Sequence, residues 1–124
     1  MPRVVTRAAS WRLVTRWRVR GTCGEVADIL VDTAHWTRWW PAVFANSVTV
    51  AAGGAGGVGR RVAMDVRGVL PGTIRCTVEL AASRYPRGLT VAVTGDLAGD
   101  AIWTLTQRGD DVDVVCDWAG RRRL

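Results

Sequence analysis

His35 is the only histidine in the chain, and Asp32 precedes it by three residues. On one helix face that spacing lets a carboxylate orient an imidazole, the arrangement of a general base. No serine or cysteine is close in sequence, so a nucleophile would have to arrive by folding, from Cys23, Cys76 or Cys116. A surface or helix-capping histidine satisfies the same spacing. Asp32 and His35 are therefore weak catalytic candidates, and nothing in the residues themselves identifies a substrate proton within their reach.

Gly54-Ala55-Gly56-Gly57-Val58-Gly59 matches the GxGxxG pattern that cradles a pyrophosphate. That chemistry needs a helix to follow, because helix N-terminal amides hold the phosphates. The following residues, Arg60 to Val66, alternate and are β-branched instead, so a glycine hairpin is expected and no nucleotide cofactor. Cys23, Cys76 and Cys116 are odd in number and far apart, with no CxxC spacing, which argues against a zinc site and for free thiols in a reducing, cytoplasmic compartment. No cofactor or metal is expected. Asp65 and Glu79 have the parity of a solvent-facing side, which makes them cross-strand partners of arginine rather than an acid–base pair.

The seven tryptophans are the most unusual chemistry in 124 residues. Trp36, Trp39, Trp40, Trp103 and Trp118 supply large rings whose indole N–H groups want partners when buried. Core packing is the plainer explanation. An aromatic-lined cavity for a flat or greasy ligand is the functional one.

Charge narrows the partners. The net charge is +6, but six arginines precede the first acid, Glu25, and three more fall in the last four residues. Residues 21–120 hold eight arginines against eleven acids. A nucleic-acid-binding face would carry its basic residues as a patch with stacking aromatics, so no nucleic-acid partner is expected. The arginine-rich first residues resemble a transit peptide, yet the alternation in residues 11–20 argues for a strand. No apolar run is long enough for an integral membrane segment.

These residues need elements to position them. In 11–20, Trp11, Leu13, Trp17 and Val19 point one way and Arg12, Arg16, Arg18 and Arg20 the other. Thr22 to Glu25 form a capping box that opens a short helix through Val26, Ile29 and Leu30. Asp32 or Thr33 can cap a further turn carrying Trp36, Trp39 and Trp40, which Pro41 ends. Strands follow at about 46–52, 58–68, 73–82, 88–95, 100–107 and 111–119. Gly68–Gly72 is a turn, and a register in which paired numbers sum to 140 sets Asp65 against Arg75 and Arg61 against Glu79. Trp103, Leu105, Val112, Val114, Cys116 and Trp118 share one face of the last hairpin, with Asp111, Asp113 and Asp117 on the other. If the first and last strands are neighbours, the terminal arginines meet those aspartates. The fold class is α+β, an antiparallel six- to seven-stranded curved sheet with two short helices after the first strand.

The segment His35-Trp36-Thr37-Arg38-Trp39-Trp40-Pro41 after a short helix resembles the W-x-x-W-x-P segment of the START-related (SRPBCC) helix-grip superfamily, in its polyketide cyclase/dehydrase and lipid-transport branch. Gly57-Val58-Gly59 opening a strand, and Gly95 to Gly99 before Trp103-Thr104-Leu105, are similar to that family's next landmarks. The resemblance implies a seven-stranded sheet gripping a long C-terminal helix around a hydrophobic cavity. It implies binding of lipids, polyketides or other apolar molecules, with cyclisation or dehydration in some members. No catalytic residue transfers from it.

On that reading residues 1–10 are an N-terminal extension, 11–119 a helix-grip domain without its C-terminal helix, and 120–124 a basic, frayed tail. The sheet face then lacks cover. A dimer through that face, a helix recruited from elsewhere, or a truncated product would each follow. The expected function is binding of a hydrophobic or aromatic small molecule, lined by Trp36, Trp40, Met64, Cys76, Val91, Trp103 and Trp118. A cyclase/dehydratase-type enzyme and an assembly subunit are the alternatives.

Overall fold

A computed structural model describes residues 9–67 and 73–122. Seven antiparallel strands form one sheet in the order β1-β7-β6-β5-β4-β3-β2. They are β1 (Ala9–Arg20), β2 (Phe44–Ala51), β3 (Arg61–Arg67), β4 (Thr73–Ser83), β5 (Gly88–Gly95), β6 (Leu97–Arg108) and β7 (Asp111–Arg122). Strands β2 to β7 run as a meander, and β1 closes the order by lying against β7. The expected turn at Gly68–Gly72 lies outside the described residues, as do residues 1–8.

Between β1 and β2 come helix α1 (Cys23–Val31), a 3₁₀ turn (Thr33–His35) and helix α2 (Trp36–Trp39). The capping box is formed. The Glu25 amide donates to the Thr22 hydroxyl and the Thr22 amide to the Glu25 carboxylate, each at 3.1 Å. These bonds satisfy two amides that a helix start leaves free. Helix α1 packs across β5 and β6, burying Ala27 and Leu30.

The sheet's alternation sorts residues as the sequence pattern demands. Val62, Met64, Cys76, Val78, Leu80, Leu89, Val91, Trp103, Leu105, Val112 and Val114 all enter one hydrophobic cluster with α1 and Trp36. The β3–β4 register sums to 140 throughout. On its outer face Arg61 meets Glu79 at 3.0 Å and Arg75 meets Asp65 at 3.6 Å.

Several boundaries differ from expectation, among them that β3 begins at Arg61 rather than 58 and β2 at Phe44 rather than 46. The first strand begins at Ala9, two residues inside the presumed extension. Strand β7 continues to Arg122, so Gly120 to Arg122 are paired to β6 and β1 rather than frayed. Strand β6 starts at Leu97, because Gly99 meets Gly120 across the ladder and two glycines approach where no side chain marks the alternation. The glycine motif does not lead into a helix. It forms a turn at Ala55–Gly57, and Gly59 donates to the Leu80 carbonyl at 2.8 Å before β3 begins.

Candidate functional site

The concave, inner face of the sheet carries the tryptophans. Trp103 lies on β6 and stacks on Trp17 of β1 (centroids 5.9 Å apart, planes at 13°) and on Trp40 (6.4 Å, 18°). Trp40 caps α2 and meets Phe44 at 6.0 Å, and Trp36 packs edge-on to Trp40 at 5.7 Å. Helix α2 exists in this place because Trp36 drops into the core and its indole N–H donates to the Leu30 carbonyl at 3.1 Å. A run of rings thus crosses the sheet from α2 to β1.

Burial divides the seven expected lining residues. Trp36, Met64, Cys76, Val91 and Trp103 are each at most 8% exposed and belong to the core cluster. Trp40 and Trp118 are partly buried against it. All seven join or pack against one cluster, but only Trp40 and Trp118 retain appreciable exposed surface. Trp39 is 49% exposed, because α2 is one turn long and its last position points away from the sheet.

The residues that sequence reasoning left out are on β1. Trp11, Leu13, Trp17 and Val19 are 37–54% exposed on the inner face, while Val112 and Val114 beside them on β7 are buried. Trp11 leans on Trp118 with centroids 6.5 Å apart. Alternation had already placed these four side chains together. What it lacked was the ring-to-ring reach across β7, which depends on sheet curvature.

One polar atom in this wall is unsatisfied. The Trp103 indole N–H is buried and has no hydrogen-bond partner among the described residues. A buried donor without an acceptor costs about 1–3 kcal/mol.

Asp32 and His35 do meet. His35 Nδ1 lies 2.8 and 2.9 Å from the two Asp32 oxygens, at the C-cap of α1 and in the 3₁₀ turn. Their side chains are 52% and 44% exposed, outside the hydrophobic cluster. An Nδ1–H donated to the carboxylate fixes the tautomer and leaves Nε2 as the basic nitrogen. Cys76 and Cys116 are buried, and burial pushes both thiols up to about 11, so neither is a thiolate nucleophile at neutral pH. Among the described residues no cluster of His, Cys, Asp and Glu could hold a metal, and no helix is long and apolar enough to cross a membrane.

The sheet order, the paired short helices after β1 and the concave apolar wall decide the fold. The chain has the helix-grip fold. Solved structures with this architecture include the Zhui aromatase/cyclase from Streptomyces sp. R1128, at 13% identity and TM-score 0.75 over 94% of this chain and 70% of that one. Major latex-like protein 151 from Panax ginseng aligns at 13% identity and TM-score 0.73, over 91% and 80%. Norcoclaurine synthase from Thalictrum flavum, solved with dopamine and hydroxybenzaldehyde, aligns at 13% identity and TM-score 0.64, over 94% and 72%. Identities this low speak to the helix-grip fold alone. No family model and no curated protein matches the chain.

Proposed function

We propose that the concave face binds a flat, apolar small molecule of aromatic or polyketide type. The observation that carries this reading is the charge-free strip Trp11, Leu13, Trp17 and Val19, left open beside a stacked Trp17–Trp103–Trp40 column. Half-exposed Trp17 retains on the order of 100 Å² of ring surface. Covering it is worth about 2.5 kcal/mol at ~25 cal/mol per Å². Trp40 and Trp118 extend the platform. Met64, Cys76, Val91, Trp36 and Trp103 serve as the wall behind it. Among the similar structures one is an aromatase/cyclase and another a synthase in complex with dopamine and hydroxybenzaldehyde, which supports an aromatic guest. Quenching of tryptophan fluorescence by a hydroxyanthraquinone tests the reading. A saturable change supports it, and none in folded protein opposes it.

A cyclase/dehydratase-type activity is the second reading, supported by the formed Asp32–His35 hydrogen bond. His35→Ala should abolish turnover of a linear polyketide mimic, and unchanged turnover removes that mechanism. A homodimer closing the same strip is separated from both by ultracentrifugation, where it would sediment at twice the monomer mass.

A further inference from the structure

The opposite, outer face of the sheet holds a second arrangement with its own chemistry. There β1 presents Arg16 and Arg18, β7 presents Asp113, and β6 presents Thr106 and Arg108. The registers set Arg18, Asp113 and Thr106 side by side across three strands.

Asp113 is shared. Its Oδ1 accepts from Arg18 Nε at 2.8 Å and its Oδ2 from Arg108 Nε at 3.1 Å. Both contacts are made through Nε, so each guanidinium keeps its Nη groups for another acceptor. Arg12 shows the contrast. It engages Asp117 through both Nε and Nη2 and so occupies its whole fork. Arg16 makes no ion pair among the described residues, and its cross-strand neighbour is Val115. Asp111, the other acid close by, lies across from Arg20 on one side and from Arg108 on the other.

Arg16, Arg18, Arg108, Thr106 and Asp113 line a single cleft of about 460 Å³. Among the lining residues three guanidiniums stand against one carboxylate, with Asp111 as a second acid at the Arg108 end. The Asp113 carboxylate also fixes two of the three arginines from the side, so less side-chain freedom is lost when an anion enters. The hydrogen bond from Arg18, with Arg108 adding to it, holds the Asp113 carboxyl below its ordinary range, so it remains a fixed anion at neutral pH.

We propose that this cleft binds a dianionic phosphate group. Guanidinium Nη groups of Arg18 and Arg108 meet two of its oxygens, Arg16 closes the third side, and the Thr106 hydroxyl donates to it. The charged side chains of this cleft lie on the opposite side of the sheet from the apolar strip, although Trp17 and Val114 also contribute to its lining. A free phosphate and a phosphorylated lipid headgroup offer the same chemistry.

The test is a ¹H–¹⁵N NMR titration of the full chain with inorganic phosphate, against sodium chloride at matched ionic strength. Saturable shifts are expected at the amides of Arg16, Arg18, Thr106 and Arg108, with a midpoint on the order of millimolar. Arg16→Gln should raise that midpoint several-fold and keep the spectrum of a folded protein, since Arg16 holds no ion pair to lose. Arg108→Gln should do the same. Sedimentation with phosphatidylcholine vesicles containing phosphatidic acid separates the sources. Pelleting that Arg16→Gln abolishes points to a lipid phosphate, and saturable phosphate shifts without pelleting point to a soluble one. Non-saturating shifts, equal shifts with chloride, or a midpoint unchanged in Arg16→Gln overturn the proposal.

Discussion

Trp17 on β1 stacks on Trp103 on β6 over the strand that separates them, with ring centroids 5.9 Å apart and planes 13° from parallel. The two rings differ in what surrounds them, since Trp17 is 47% exposed and Trp103 8%. Their substitutions should therefore separate stability from surface. Trp103→Ala is expected to cost about 3–5 kcal/mol in chemical denaturation. Trp103→Phe should cost much less, because it keeps a ring and removes an unpaired donor. Trp17→Ala should lower stability by no more than about 1 kcal/mol.

Gly99 faces Gly120 across the β6–β7 ladder, and a methyl group on it would collide with the Ala119 carbonyl. Gly99→Ala is expected to destabilise by about 1–3 kcal/mol, because the colliding atom is backbone and cannot rotate away. Gly109 sits in the β6–β7 turn with open space around its Cβ position, but its φ of +61° is left-handed. Gly109→Ala should cost only about 1 kcal/mol by thermal melting. A reversed order would refute the close approach of the two strands.

Hydrogen bonds from Arg18 to Asp113 and from Arg12 to Asp117 hold both carboxyls below their ordinary range. A carboxyl depressed in the folded state contributes stability that is complete above its unfolded value and lost as pH falls through its folded value. Melting temperature should accordingly drop on acidification below the ordinary carboxylate range. Asp113→Asn should flatten that limb. Both pairs lie at the surface, so the contribution should shrink in high salt.

Cys76 and Cys116 behave in the opposite sense. Burial, assisted by neighbouring carboxylates, raises each from 9.0 to about 11. The unfolded thiols ionise first, so their contribution is complete below pH 9 and lost as pH climbs towards 11. Denaturant melts at pH 8 and pH 10 should show a larger loss for the native chain than for Cys76→Ala/Cys116→Ala, on the order of 1 kcal/mol. A disulfide-exchange reagent at pH 8 should label the less buried Cys23 first.

Much of this architecture was legible in the residues because alternation is a strong signal when one face is buried. The pairing of Arg61 with Glu79 followed from the hairpin register, and that of the β1 arginines with Asp113 and Asp117 from parity and charge once β1 lies against β7. Glycine obscured the start of β6, since Gly95 and Gly99 have no side chain to report a face. The candidate site was legible as a face and not as a surface. Met64, Cys76, Val91 and Trp103 share one face of the sheet as their parity requires, and Trp36 packs against it from α2, but their depth depends on how α1 and α2 settle. Trp17 and Trp11 had the parity of the inner face. Their contacts with Trp103 and Trp118 arise from curvature, which no local pattern encodes.

The most direct measurement is equilibrium binding of a hydroxyanthraquinone, read by tryptophan fluorescence, to the native chain, to Trp17→Ala and to Arg61→Ala as an outer-face control. The account predicts saturable quenching in the native chain, affinity lowered roughly 10- to 100-fold by Trp17→Ala at about 1.4 kcal/mol per tenfold, and no change in the control. Equal affinity for all three proteins, or no saturable quenching in folded protein, would contradict it.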